Sequence, residues 1–217
     1  MDVLGNFANI NNALHIHEGE RQRTNLITKT LIVDAKLPEK FPIEFGIYDM
    51  SQFLGVLSLF EEPNLDFDNK VITIHEAKKK ATYRCCDVAL VKKNKFPFEQ
   101  DFSLSSVDIS FDLSKEMWRQ VTSATRVLGL DHIAVIGNGE TISVSSLNVT
   151  DPDNHQISFE VGETNKEFKL IYNIDSLKIL PHNYKVNISK SKFTKFISQD
   201  MNLEYTCPCE KGSVYNG

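Results

Sequence analysis

Two stretches of this chain say nearly the same thing. IEFGIYDMSQFLGVLSLF runs from Ile43 to Phe60, and EFKLIYNIDSLKIL runs from Glu167 to Leu180. Each passes from an apolar strand pattern through Ile-Tyr-Asp or Ile-Tyr-Asn into a short amphipathic run. Ile47 matches Ile171, Tyr48 matches Tyr172 and Asp49 matches Asn173, although the upstream Glu-Phe is offset by one residue. Strand-to-helix turns often look alike, so the echo alone leaves coincidence open. The order of elements around each copy favours a duplicated domain: helix, strands, the echoed phrase, short helix, strands.

In the first half, Val3, Phe7, Ile10 and Leu14 share one helical face, which predicts a helix over Asp2 to Leu14. Asn6, Asn9 and Asn12 give the other face an uncharged polar character. TNLITKTLIVDAKL and FPIEFGIY read as strands. Asp49 is placed to N-cap the next helix, because its carboxylate can accept from free backbone N–H groups. Met50, Phe53, Leu54, Leu57 and Phe60 form the apolar stripe of that helix, and Glu61-Glu62-Pro63-Asn64 ends it. NKVITIHEA and ATYRCCDVALV are further strands, joined by a turn around Lys78, Lys79 and Lys80. From Lys92 to Ser106 the chain mixes proline, charge and aromatics without periodicity. This reads as a connector and divides the chain into domains 1–106 and 107–217.

The second half opens with a strand and then a helix capped by Ser114, or by Asp112 if it starts earlier. Lys115, Arg119, Thr122 and Arg126 form one stripe of that helix, with Met117, Val121, Ala124 and Leu128 roughly opposite. Trp118 adjoins the apolar stripe and reads as core. A solvated surface helix would carry such residues. So would a surface that meets phosphates, which positions a protein on DNA without reading sequence. Gly137-Asn138-Gly139 is a hairpin signal between two strands. HQISFEVG and KEFKLIYN continue the sheet, IDSLKIL is a short helix ending at Pro181, and further strands close the chain.

Composition excludes more than it assigns. Net charge is −5, with 24 basic against 29 acidic residues, so any nucleic-acid surface must be local. No apolar run is long enough to span a bilayer. The start MDVLGNFANINN lacks the basic and apolar regions of a secretory leader, which implies a cytoplasmic protein. Cys85-Cys86 and Cys207-Pro208-Cys209 lack zinc-site spacing and read as reduced thiols; a metal or redox role for Cys207 and Cys209 is the alternative. The six histidines are scattered. His15 and His17 alternate, but the sequence offers no third ligand. Gly137-Asn138-Gly139 is a turn and not a phosphate loop. No catalytic group, cofactor or metal is expected.

NFANIN (Asn6–Asn11) and FGIYDMSQFLGVLSL (Phe45–Leu59) resemble the matching segments of the trimeric DNA polymerase sliding clamps of T-even-type bacteriophages. In the second half the resemblance rests on the helix Leu113–Gly129, on IYNIDSLKILPHNYKV and on the order of elements. It implies an α+β fold of two similar clamp-type domains, each with two helices packed on antiparallel sheets. Three subunits would close head to tail into a ring, helices inward and sheets outward. It implies a non-enzymatic processivity factor that encircles duplex DNA and tethers the replicative DNA polymerase. An ATP-dependent clamp loader and the transcription machinery are the other implied partners, in the cytoplasm of a bacterial host cell.

On this resemblance Lys115, Arg119 and Arg126 face the hole, joined by Lys178. Arg21 and Arg23 are further DNA-facing candidates, at loops on a ring face with Lys78 to Lys80. The first helix departs from the pattern, with Asn in place of basic residues. A partner pocket would be lined by Phe96, Phe98, Tyr205 and Pro208, unless Phe96 and Phe98 simply pin the connector to its sheet. The rival function is a monomeric DNA-binding or adaptor module of a phage replication or transcription complex.

Overall fold

In the computed structural model the first apolar stripe becomes α1 (Asp2–Ile10). The helix is shorter than its spacing predicts, and Leu14 belongs to β1 (Leu14–Ile16) instead. Asn11 accounts for the stop. Its N–H closes the last turn on the Phe7 carbonyl at 2.8 Å, and its side-chain oxygen accepts from the Ala13 N–H at 3.2 Å. Such side-chain turns compete with helix continuation. A nine-residue helix is marginal alone. It rests on burying Phe7 and Ile10, each worth about 2–3 kcal/mol over exposure. The structure describes residues 2–68, 70–91, 96–149 and 155–216, so Lys92 to Lys95 of the expected connector lie outside the described residues.

The chain divides into two units, Met1–Gln100 and Asp101–Gly217. In the first, α1 and β1 are followed by β2 (Gly19–Asn25), β3 (Ile32–Phe41), β4 (Phe45–Ile47), α2 (Met50–Leu57), β5 (Asn64–Asp68), β6 (Val71–Glu76), β7 (Lys79–Arg84) and the single turn α3 (Val88–Val91). β1 pairs with β4, β2 with β3, and β5, β6 and β7 form a sheet, all antiparallel. The second unit runs β8 (Ile109–Leu113), α4 (Lys115–Val127), β9 (His132–Asn138), β10 (Thr141–Leu147), β11 (Ile157–Glu163), β12 (Glu167–Asn173), β13 (Tyr184–Ile188), β14 (Phe193–Ser198), β15 (Leu203–Pro208) and β16 (Val214–Tyr215).

The second unit repeats the pairings of the first. β9 pairs with β12 as β1 does with β4, β10 with β11 as β2 with β3, and β13, β14 and β15 neighbour one another as β5, β6 and β7 do. It adds β8 against β13, β10 against β9 and β16 against β12. Residues 101–106, expected with the first domain, fall in the second unit. There the hydroxyls of Ser105 and Ser106 lie 3.4 and 3.1 Å from that of Ser189.

The echoed phrase is a joint, built twice. Asp49 accepts from the Gln52 N–H at 2.8 Å and N-caps α2. Asn173 accepts at the matching place, from Asp175 N–H at 3.0 Å and Ser176 N–H at 3.3 Å. The residue after each cap donates its N–H to the carbonyl just past the preceding helix: Met50 to Asn12, and Ile174 to Asp131, both at 2.9 Å. Asn12 also bonds Asp49 and Ser51 through its side chain, so one of the polar-face asparagines is a fastener.

Beyond each joint the chain departs from expectation. α2 ends at Leu57 and leaves Phe60 outside the helix. The predicted helix over Ile174–Leu180 is a turn: Ser176 bonds Asn173 and Leu177 bonds Ile174, and no helix forms. Pro181 lacks an N–H and disfavours helical geometry at Leu180. The segment is held by its buried side chains Ile174, Leu177 and Ile179. Tyr184 Oη donates to the Leu180 carbonyl at 2.6 Å, and Tyr205 Oη accepts from the Leu180 N–H at 3.3 Å.

Ser114 caps α4 by accepting from the Met117 N–H. The face that α4 buries is Trp118, Val121 and Thr125, rotated from the predicted apolar stripe; Leu128 is exposed. Thr125 is admitted because its hydroxyl donates to the Val121 carbonyl at 2.6 Å. The hairpin expected at Gly137-Asn138-Gly139 joins β9 and β10. Gly139 takes φ +88°, which glycine adopts without strain, and Asn138 Oδ1 accepts from Glu140 and Thr141.

Gly137 is needed for a different reason. A Cβ there would fall against the Phe168 ring and 2.8 Å from the Lys166 carbonyl oxygen. Gly137→Ala should overpack this site and cost about 1–3 kcal/mol, read as a lower urea midpoint. Asp49 gives the fold a pH dependence. The Gln52 N–H, and next the Asn12 amide, hold its carboxyl below the usual 3.8. A depressed carboxylate stabilises the fold above its unfolded pKa and loses that as pH falls through the folded one. Acidifying through and below 3.8 should therefore speed amide exchange at Gln52 relative to β6.

Candidate DNA-facing helix and connector cleft

Lys115, Arg119 and Arg126 are all exposed on α4, spread over about 16 Å of helix at 1.5 Å per residue. Ser123 and Gln120 lie exposed among them. Glu116, the one acid of the helix, accepts from Gln120 Nε2 at 2.9 Å. Arg126 sits in the last turn, where a cation suits the helix dipole. Trp118, expected as core, is buried, with its ring near Phe196 and its Nε1–H donating to the Ile179 carbonyl at 3.4 Å. Lys178 is exposed, but on the turn that replaces the predicted helix. In the first unit neither α1 nor α2 carries a lysine or arginine.

The two arginines of β2 part company. Arg21 is half exposed, 3.1 Å from Asp34, with its guanidinium 4.9 Å above the Phe98 ring. Arg23 is buried, which corrects its placement among the DNA-facing residues. Its Nε and Nη2 donate to Asp34, and its Nη1 donates to the carbonyls of Pro97 at 2.9 Å and Gln100 at 2.7 Å. A guanidinium satisfied on every side has no charge to offer a phosphate. It holds the connector, as does Asn25, whose Oδ1 accepts from the Phe96 N–H at 3.2 Å. β2 is not legible as a strand in the sequence because GERQRTN is polar throughout. Gln22, Arg23, Thr24 and Asn25 are nonetheless buried.

Phe96 and Phe98 are half-buried in this connector. Phe98 stacks on His17 with ring centroids 3.7 Å apart, and Lys29 Nζ lies 5.2 Å from the Phe96 ring. Beside them opens a cleft of about 440 Å³, walled also by His15, Glu44 and Glu99. Tyr205 is no part of such a pocket, which corrects its placement there. It is fully buried in the second unit against Tyr184, and burial raises its phenol pKa. Pro208 is partly exposed and stands opposite Phe193 in register. Phe193 lines a second cleft of about 280 Å³ with Phe102, Leu104 and Thr206, an apolar surface that sequence pattern alone does not reveal.

The four cysteines are free thiols. Burial, then the neighbouring Cys86, pushes the Cys85 thiol up to about 11, and burial raises Cys207 and Cys209 as well. Reactive cysteines have depressed values, so this is the opposite of an activated thiol. Among the described residues no helix is long and apolar enough to cross a membrane.

Comparison with known proteins bears on the whole length. The family model for DNA polymerase processivity factors matches residues 1–88, and the model for the gp45 sliding clamp, C-terminal, matches residues 110–210. The sliding clamp of Vibrio phage KVP40 is 32% identical over 214 residues, covering 94% of each chain. This chain belongs to the sliding-clamp family. The clamp of Enterobacteria phage T4 is 24% identical over 99% of this chain and 96% of its own. In fold the chain is similar to A. fulgidus PCNA, in a structure with the C-terminal region of FEN-1. The TM-score is 0.70 at 12% identity, covering 98% of this chain and 95% of that one.

The chain is thus a bacteriophage processivity clamp of DNA replication, and the duplicated joint is a feature of its two similar domains. In the first domain Arg23 holds the stretch that leaves it. Arg23→Leu should destabilise this clamp by about 3 kcal/mol, because Asp34 and two carbonyls lose a buried partner. Hydrogen exchange should rise at Phe96–Gln100 well before it rises in β6.

Proposed function

We propose that three copies of this chain close into a ring around duplex DNA, with the exposed face of α4 toward the phosphates. The observation that carries this reading is the Lys115, Arg119 and Arg126 face, which stands out on a chain of net charge −5. Lys178 and Arg21 are secondary contacts. Such a surface attracts any sequence and fixes none, which suits a clamp that must slide. Without lysine or arginine on α1 and α2 the total attraction is modest, so retention depends on topology and not on affinity.

The ring would hold the replicative DNA polymerase, and an ATP-dependent loader would open and place it. Transcription machinery is a further user of the same ring, in the cytoplasm of the host cell. The clamp itself would catalyse nothing. Its polymerase contact would be the connector cleft, with Phe96 and Phe98 as aromatic anchors, while Pro208 with Phe193 offers a separate apolar ledge.

The test separates assembly from DNA contact. Sedimentation velocity should find a species of three times the 24.7 kDa chain, growing with concentration. Combined Lys115→Glu, Arg119→Glu and Arg126→Glu should leave that species intact. The same variant should abolish retention on closed circular duplex and the stimulation of polymerase. Unchanged stimulation would remove α4 from the DNA-facing surface. A monomer at every concentration, binding linear and circular DNA alike, would favour the adaptor reading.

A further inference from the structure

We propose that His15, His17 and Glu44 form a binding site for a divalent transition metal, with Zn²⁺ as the best fit, in the wall of the connector cleft. The alternation of His15 and His17 offers two ligands and no third. The fold supplies the third. β1 and β4 pair antiparallel with His15 opposite Gly46 and Ile16 opposite Phe45. His17 and Glu44 are the next residues beyond this last pair, at the same end of the two strands. Residues two apart on a strand face the same side, so both imidazoles and the carboxylate converge.

The distances are those of a nearly assembled site. The ligand atoms of the three residues all lie within 4.8 Å of one another. Nε2 of His15 is 3.0 Å from Oε1 of Glu44, and the two imidazole centroids are 3.8 Å apart. A tetrahedral zinc with bonds of about 2.0–2.1 Å needs ligands about 3.3 Å apart, so the two rings must swing apart to turn their nitrogens onto one ion. His15 is buried and His17 half-buried, while the exposed Glu44 can adjust. The fourth position opens to the cleft, whose wall also carries Glu99.

The donor set selects the metal class. Two imidazoles and one carboxylate suit Zn²⁺, Ni²⁺, Cu²⁺ and Co²⁺, whereas Mg²⁺ and Ca²⁺ require oxygen ligands. The nearby positive charge does not forbid a cation, because Arg23 is neutralised by Asp34 and held by two carbonyls. Binding would have a mechanical consequence. Phe98 stacks on His17, so a metal that fixes the His17 ring also fixes one wall of the cleft.

Metal-stripped full-length protein should be titrated with Zn²⁺ in a chelator-competition assay, alongside Glu44→Gln and His17→Gln. Both substitutions are at exposed or half-exposed positions and should leave the fold intact by circular dichroism. One zinc per chain is expected, with affinity at least ~10-fold weaker in each variant, since even outer-shell changes cost that much. Co²⁺ should give tetrahedral visible bands without thiolate charge transfer, and excess Mg²⁺ should not compete. Absence of zinc binding would overturn the proposal. So would unchanged affinity in both variants, or thiolate bands, which would move the metal to the cysteines.

Discussion

Each domain of this clamp turns at the same backbone hydrogen bond. The N–H that begins the second short element reaches the carbonyl just past the preceding helix, from Met50 to Asn12 and from Ile174 to Asp131. That bond fixes where the chain turns off its strand. The capping side chain, Asp49 or Asn173, then satisfies the N–H groups freed by the turn. The next apolar residues, Met50 and Phe53 or Ile174 and Leu177, are aimed into the core as a result. A helix forms in one copy and a turn in the other, yet the joint is the same. What was duplicated is the exit geometry, and the element after it was free to diverge.

Buried charge plays a comparable part in the connector. Taking a guanidinium out of water is costly unless each N–H finds an acceptor. Arg23 finds a carboxylate and two carbonyls, and the two carbonyls belong to the stretch leaving the domain. The polar strand β2 is therefore a receptor for the connector, with Asn25 completing it. The apolar rings of Phe96 and Phe98 are left at the lip of a cleft, one of them stacked on His17. Any partner of that cleft meets a wall whose position is set by polar bonds behind it.

The distribution of charge is as informative as its sum. The helices of the first domain carry no lysine or arginine, and the long helix of the second carries its cations on an exposed stripe beside its buried face. Weak, undirected attraction costs little to break as a protein moves along phosphates. Strong or base-specific contacts would arrest it. A family that works by encirclement has no need of affinity, and this chain shows little provision for it.

Much of the fold was legible because periodicity reports which face of an element is apolar. The echo, the caps at Asp49 and Ser114, the hairpin at Gly139 and the burial of Trp118 are all local, and all appear in the structure. The exposed cations of α4 were legible for the same reason. Position along the chain is silent, however, about polar groups that are buried by distant partners. Arg23 reads as a free cation until Pro97 and Gln100 fold onto it, Tyr205 reads as a surface anchor until Tyr184 covers it, and β2 reads as a loop. His15 and His17 acquire a third neighbour only when β4 pairs with β1 and brings Glu44 alongside. The sequence by itself determined where the apolar faces lie and where the joints begin. The tertiary structure decided which polar groups are satisfied by a partner and which remain free to meet one, because that depends on acceptors far away in the chain.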